Sequence, residues 1–156
     1  MRFLGVGDSC DLAALYLRLA AEGHEVKVYI EKVLCHGTLA GMVERTPDWR
    51  EELGWIRRAG EDGIVLFENV AQSRGDLQDE LRRDGYRVVG GSGFGDRLEN
   101  DRGYGQRVLQ GLGLPIAHVW EFGGPTQALS FLDASPRRYV LKFDGPNSAE
   151  NYVGRL

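Results

Sequence analysis

The first thirty residues alternate between strand-like and helix-like patterns, and this order restricts the chain to few folds. An apolar run over residues 3–6 predicts a buried strand that ends at Gly7-Asp8-Ser9. Leucines at helical spacing follow over residues 11–22, and Gly23 marks the end of that helix. Residues 26–30 then alternate between apolar and polar, which is typical of a strand. The segment therefore predicts a βαβ unit.

The alternation continues to residue 90. Thr46-Pro47 is a favourable helix start, whereas residues 31–46 predict mostly a loop. The apolar run 63–67 predicts a central parallel strand that is buried on both faces. A helix over residues 76–84 and a strand over residues 86–89 follow. The whole pattern predicts an α/β fold with a Rossmann-like open parallel sheet and right-handed crossovers.

A glycine-rich segment after residue 89 predicts a domain boundary. We expect an N-terminal domain over residues 1–90, a linker over residues 91–100 and a second region over residues 101–156. The elements predicted near and within that second region are a helix over residues 100–111, a strand over 116–122, a helix over 125–133 and a final strand that carries Lys142.

Charge and composition exclude several classes of function. The net charge of −4 and the absence of a basic stripe argue against nucleic-acid binding. No apolar run is long enough to span a bilayer, and the N-terminus lacks the layout of a signal peptide. Two cysteines, Cys10 and Cys35, are too few for a disulfide framework. We expect a cytoplasmic protein with small-molecule and nucleotide ligands.

The first turn has the glycine spacing of a Rossmann-like phosphate turn. Gly5 and Gly7 would let the backbone approach an anion at the start of the following helix, beside Asp8 and Ser9. These four residues are therefore candidates for substrate binding. They are equally consistent with a plain strand–helix turn that needs glycine for its geometry and in which Asp8 or Ser9 caps the helix.

The same turn leaves a dinucleotide site open as an alternative. Cys10 stands in place of the third glycine of the dinucleotide fingerprint, so the fingerprint is weak. Glu31 follows the second predicted strand, where an acidic residue binds a ribose hydroxyl in NAD-binding folds. A module that holds NAD at this turn is the resulting second hypothesis.

Glu68 and Asn69 follow the central predicted strand. Ligands of open α/β sheets bind outside the carboxyl ends of the strands, so both residues are further candidates for substrate binding. The alternative is that they begin a solvated loop or cap the next helix.

Two cations in the second region are candidates for nucleotide binding. Lys142 lies within a short apolar run, and a lysine in a buried strand is costly unless it meets an anion such as a phosphate. The alternative is an edge strand from which Lys142 points to water. Arg102 lies at a predicted helix start, where it would otherwise be a solvated residue of a capping motif.

The segment from about residue 85 to 145 resembles the ATP-grasp superfamily, and within it the phosphoribosylamine–glycine ligase family of purine synthesis. Both the order and the spacing of several short motifs agree with that family. The motifs are Val89-Gly90-Gly91, Leu98-Glu99-Asn100-Asp101-Arg102, Gly113-Leu114-Pro115, the helix over 128–132, and Val140-Leu141-Lys142-Phe143-Asp144-Gly145.

The resemblance implies an ATP-dependent ligation that requires ATP and Mg²⁺. A carboxylate is phosphorylated, and an amine then attacks the acyl phosphate. Lys142 would meet the α- or β-phosphate of ATP, and Arg102 would stand where the family has a second nucleotide-binding lysine. We expect the chain to hold the N-terminal portion of such a ligase and only the first elements of its ATP-grasp subdomain. This portion should not catalyse ligation alone.

The chain departs from the family pattern at three loops. The first turn and the loop at Glu68 differ from those that hold phosphoribosylamine, which leaves the substrate open. Residues 146–150 replace the family's Gly-Lys-Gly lid loop. A degenerate ATP-grasp scaffold without a ligand is therefore a third hypothesis.

Overall fold

Strands and helices alternate along the chain in a computed structural model that describes residues 1–68, 74–143 and 151–154. The described strands are β1 Arg2–Gly7, β2 Glu25–Ile30, β3 Glu44–Arg45, β4 Gly63–Phe67, β5 Arg87–Val89, β6 Val140–Lys142 and β7 Asn151–Val153. The described helices are α1 Ala13–Ala21, α2 Leu53–Arg57, α3 Gly75–Arg83, α4 Gly93–Asn100, α5 Arg102–Gly111 and α6 Pro125–Ala134, with 3₁₀ turns at Val33–Cys35 and Gly60–Asp62.

The chain divides into two units, Met1–Asp96 and Arg97–Leu156. We call them the first and the second unit. None of the helices in the described residues is both long enough and apolar enough to cross a membrane.

The first unit is built on a five-stranded parallel sheet with the order β3-β2-β1-β4-β5. This confirms the predicted fold class. The chain leaves β1 towards β2 and β3, and later returns to the other side of β1 to form β4 and β5. The direction of winding therefore reverses beside β1. In open α/β sheets, the carboxyl ends of the strands at such a reversal form the crevice in which ligands bind.

The buried strand predicted over residues 3–6 is β1, which is the central strand of the sheet and is buried on both faces, whereas the run over residues 63–67, predicted to be central, forms its neighbour β4. Phe3 packs into one core with Tyr16 of α1 and the apolar residues of β2. Leu4 and Val6 face the opposite core, which contains Trp49, Ile56 and residues of β4. Parallel strands with helices on both faces require this continuous burial.

Gly5 is the position where β1 and α1 come closest together. A Cβ at this residue would overlap the ring and hydroxyl of Tyr16. Tyr16 is fully buried, so its ring cannot move into solvent to relieve the overlap. Glycine at position 5 is thus a packing requirement of the βαβ unit.

The predicted helix start at Thr46-Pro47 is wrong, because this dipeptide forms a turn after β3. The N–H of Thr46 donates to the carbonyl of Val28 and extends the strand pairing. The Thr46 hydroxyl donates to the Asp48 carbonyl at 3.0 Å. Trp49 is then buried in the core, and α2 begins only at Leu53.

The predicted loop over residues 31–46 contains a 3₁₀ turn and the short strand β3. Arg45 secures β3 because its guanidinium donates to the carbonyls of Val28, His36 and Thr38. These contacts are tertiary, so no local pattern in the sequence indicates this strand.

Most of the predicted linker over residues 91–100 is the helix α4, whose first turn packs against α3. The N–H of Gly75 donates to Asp96 Oδ2 at 2.7 Å, and the N–H of Gly93 donates to Asp79 Oδ2 at 2.9 Å. Each helix therefore supplies a carboxylate to the N-terminus of the other. A negative charge is stabilising at that end of a helix.

In the second unit, α5 begins at a side-chain cap and β6 pairs antiparallel with β7. The Asp101 carboxylate accepts the N–H of Tyr104 at 2.7 Å. The strand predicted over residues 116–122 is wrong, since residues 114–122 have no regular secondary structure. Ring contacts hold this segment instead, with Trp120 lying 5.2 Å from Phe131 and 5.7 Å from Tyr139 between ring centroids.

Replacing Gly5 by alanine should lower the free energy of unfolding by about 1–3 kcal/mol, the usual cost of overpacking a core. Gly37→Ala is the matched control, because a Cβ there meets no atom within 4 Å. We expect the control to stay within about 0.5 kcal/mol of the wild type in urea unfolding. Equal effects of the two substitutions would contradict the packing role of Gly5.

Acid should weaken the pairing of α3 with α4. The hydrogen bond from Gly93 is the main cause that lowers the pKa of Asp79, and Arg82 contributes in the same direction. Because the folded pKa lies below the unfolded value, the stabilisation is complete above about pH 4 and is lost as the pH falls through the folded pKa.

Urea unfolding of wild type and Asp79→Asn at neutral and acidic pH tests this expectation. The substitution should destabilise the protein at pH 7 and should make stability less dependent on pH in the acidic range. Asp62→Asn, at an exposed aspartate, is the control and should retain the wild-type pH dependence.

Candidate functional site

Three acidic residues lie at the carboxyl ends of neighbouring strands in the first unit. Asp8 follows β1, Glu31 follows β2 and Glu68 follows β4. The pairs Gly7↔Ile30 and Val6↔Phe67 set these three ends at nearly the same level. The residues therefore lie at the reversal point of the sheet, where ligands of such folds bind. We call this set the carboxylate edge.

Two cations offset part of the negative charge of the carboxylate edge. Only 4% of the Asp8 side chain is exposed, and it lies 3.8 Å from Arg74 and 4.0 Å from Lys32. Arg74 also forms an ion pair with Glu31. Lys32 donates to the Ser9 hydroxyl at 3.4 Å. A buried carboxylate is costly without such partners, so the two cations offset part of the cost of burying Asp8.

Glu68 reaches from β4 to the start of α1. Its Oε2 accepts the N–H of Leu12, the residue before the helix, at 3.4 Å. A Cβ on Gly7 would lie 2.7 Å from the carboxyl carbon of Glu68. The second glycine of the turn therefore makes room for a carboxylate of the protein itself, in the position where a dinucleotide fold brings its pyrophosphate.

The Tyr16 hydroxyl points towards the Glu68 carboxylate. Burial raises the pKa of Tyr16, and the facing Glu68 raises it further. The geometry between the two groups falls short of a hydrogen bond, so the hydroxyl and Glu68 Oε1 are both buried without a hydrogen-bond partner. Such groups are rare in folded proteins, since an unpaired buried polar atom costs free energy.

Cys10 takes the conformation that glycine adopts in comparable turns. Its φ is +67°, in the left-handed region that residues with a Cβ rarely occupy. Burial is the main cause that raises the pKa of its thiol to about 11, with the Glu68 charge contributing. Cys10 packs in the core with Tyr16 and the apolar residues of β2, an environment that disfavours a reactive thiolate. Cys10 and Cys35 are both free.

The prediction that Lys142 lies in a buried strand is wrong. Every residue of β6 is exposed, and so is the following Phe143. The physical reason is that β6 pairs with β7 in a sheet of only two strands, so no further described strand or helix covers its faces. The alternative from the sequence, an exposed edge strand, describes Lys142 correctly in the described part of the chain.

Arg102 lies close in space to the strand that carries Lys142. Its Nε donates to the carbonyl of Phe143, the residue after Lys142, at 2.9 Å. The N-terminus of α5 and the end of β6 are therefore adjacent within the second unit. The two cations predicted to bind ATP lie on adjoining segments.

Four of the six predicted substrate-binding residues lie at the carboxyl edge of the sheet: Gly7, Asp8, Ser9 and Glu68. Gly5 lies inside β1, against Tyr16. Asn69, the sixth, and the segment over residues 146–150 lie outside the described residues. Sequence reasoning missed Arg74 and Tyr16. Arg74 directly precedes α3, at the same edge of the sheet as Glu68. Its position between a strand and the next helix could have marked it as a candidate site residue.

The resemblance implies Mg²⁺, and the described residues provide no cluster of side chains that would hold such an ion without substrate phosphates or water. Magnesium requires several oxygen ligands from carboxylates, substrate phosphates or water. The part of the chain that the structure describes contains no group of three His, Cys, Asp or Glu side chains placed to hold a metal ion.

Solved structures with a similar fold are N5-carboxyaminoimidazole synthetases. The Thermotoga maritima N5-carboxyaminoimidazole ribonucleotide synthetase has a TM-score of 0.64 at 13% identity, and the match covers 100% of this chain and 41% of that one. The Staphylococcus aureus enzyme complexed with ADP has a TM-score of 0.55 at 15% identity, covering 92% and 39%. A further structure of the S. aureus enzyme gives 0.56 at 14%, covering 97% and 40%.

The chain thus spans about two fifths of the length of these solved proteins. At this level of identity the likeness establishes the fold. No protein-family model matches the chain, and no curated protein matches it.

Proposed function

We propose that the chain is the N-terminal portion of an ATP-dependent carboxylate–amine ligase of the ATP-grasp type. The observation that carries this proposal is the extent of the structural likeness. It covers between 92% and 100% of this chain, including the segments with Arg102 and Lys142. One of the similar synthetases is complexed with ADP. These enzymes are ATP-grasp ligases of purine biosynthesis, the class that the sequence motifs indicate.

In the proposed reaction, a substrate carboxylate attacks the γ-phosphate of ATP to give an acyl phosphate and ADP. The amine substrate then displaces phosphate, and a C–N bond forms. Lys142 and Arg102 supply positive charge for the phosphates of the nucleotide, a contribution that is large in phosphoryl transfer. The adjacency of α5 to the end of β6 supports a joint role for the two residues.

The carboxylate edge of the first unit holds the amine substrate in this proposal. Gly5 and Gly7 shape the turn, while Asp8, Ser9, Glu68 and Asn69 supply polar groups around it. Phosphoribosylamine and glycine are the specific candidate substrates, because the motifs of the second region resemble the phosphoribosylamine–glycine ligase family. The fold of the similar solved structures supports the broader class of purine-pathway ligases equally well.

The geometry of the first turn disfavours the alternative of an NAD-binding module. Glu31 lies at the end of β2, as a ribose-binding acid does, but it pairs with Arg74. Glu68 occupies the start of α1. A pyrophosphate at this turn would meet its carboxylate.

Thermal unfolding of the chain with ATP, ADP or NAD tests the proposal. A ligand that binds only the folded state raises the midpoint by an amount that grows with the logarithm of its concentration over Kd. We expect ATP and ADP to stabilise the wild type and Lys142→Ala to weaken that binding about tenfold or more, as expected for the loss of a charge-assisted contact. Arg137→Ala is the control, because it removes an exposed cation of the same unit and should change Kd less than about twofold.

Two results would contradict the proposal. One is stabilisation by NAD without any stabilisation by ATP or ADP. The other is an equal loss of ATP affinity in Lys142→Ala and in the Arg137→Ala control, which would make the effect of Lys142 one of overall charge.

A further inference from the structure

The start of α1 already carries an anion, and that anion belongs to the protein. In most helices the first N–H groups lack partners within the helix and attract negative charge. Here Leu12 donates to Glu68 Oε2, and no side chain of α1 itself caps the helix. Glu68 comes from β4, across the point where the winding of the sheet reverses. The residue that follows β4 thus occupies the start of α1, next to the turn after β1.

The two glycines of β1 are explained by this arrangement. Residues 5 and 7 are two apart on a strand, so they face the same side of the sheet. A Cβ on Gly5 would overlap Tyr16, and a Cβ on Gly7 would lie 2.7 Å from the Glu68 carboxyl carbon. The space that these glycines leave is therefore filled by a phenol and a carboxylate, stacked along one face of the strand.

Tyr16 is the second, independent sign that this face is specialised. Its side chain is fully buried, and its hydroxyl has no hydrogen-bond partner. Phenylalanine would pack the same core without burying an unpaired hydroxyl, at lower cost. The hydroxyl is aimed at Glu68, whose Oε1 is likewise buried and unpaired.

We propose that Tyr16 is a positioning residue that keeps Glu68 across the start of α1, and that Glu68 in this position closes the turn to phosphate. A substrate group at the turn must then be a hydrogen-bond donor, such as an amine or a hydroxyl, since it meets the carboxylate of Glu68. Any phosphate of the substrate binds elsewhere. This inference rests on the proposed function only in assigning the turn to the substrate.

Titration of the ¹⁵N-labelled chain with inorganic pyrophosphate tests the inference. The amide signals of Gly7, Ser9 and Leu12 report binding at the turn separately from binding at other cations. In the wild type these signals should not move. In Glu68→Ala the same amides should shift, with an affinity at least about tenfold above the wild-type limit, because a vacant helix N-terminus attracts anions.

Three further variants define the cause. Glu68→Gln keeps the shape of the side chain and removes its charge, so it should gain pyrophosphate binding even if Glu68→Ala folds poorly. Tyr16→Phe should raise the unfolding temperature and also admit pyrophosphate, to a smaller extent than Glu68→Ala. Glu51→Ala removes an exposed carboxylate far along the chain from the turn and should leave the turn closed.

The inference is overturned if pyrophosphate shifts the turn amides equally in wild type and Glu68→Gln, or if neither Glu68 variant gains binding. A Tyr16→Phe protein that becomes more stable but keeps the turn closed would remove the role assigned to Tyr16. ATP binding is tested separately, through substitution of Lys142 in the second unit. If ATP does not bind, the proposed function is overturned, and the pyrophosphate result at the turn still stands.

Discussion

The packing of α1 and of the Glu68 side chain against the central strand depends on Gly5 and Gly7. Without a side chain at these two positions, Tyr16 and Glu68 can lie directly against the backbone of β1. Any larger residue would push α1 off the sheet or displace the carboxylate from the start of the helix. The same two residues therefore set the packing of the core and the chemistry of the carboxylate edge, which links the stability of the first unit to its proposed ligand specificity.

The core elements were predictable from sequence because their patterns are local. The apolar runs of β1 and β4, the alternation in β2 and the leucine spacing of α1 each lie within a few residues, and all four elements form as predicted. The strand β3 and the turn at Thr46 depend on tertiary hydrogen bonds that Arg45 and Thr46 donate to the carbonyl of Val28, so local patterns mislead there. Glycines at 93 and 95 suggested a linker, yet α4 forms because Asp79 caps its first turn.

The candidate site was predictable in its location and less so in its chemistry. Topology alone places Asp8, Ser9 and Glu68 at one edge, since they follow strands that become neighbours in a parallel sheet. Whether a glycine turn admits a phosphate or a side chain of the protein depends on distances that no sequence pattern contains. For Lys142 the predicted burial itself was wrong. An apolar run is buried only when other elements cover it, and in the described residues β6 has a single partner strand.

The helix starts at the carboxyl edge of the first unit share one property that bears on where a nucleotide would bind. Glu68 serves α1, Asp96 serves α3 and Asp79 serves α4, and each carboxylate comes from a different element than the helix it serves. Helix N-termini are the usual phosphate sites of α/β folds, and here each of these three carries a carboxylate of the protein. In the proposed function, positive charge for a triphosphate comes from side chains, and the two proposed cations, Arg102 and Lys142, lie on adjoining segments of the second unit.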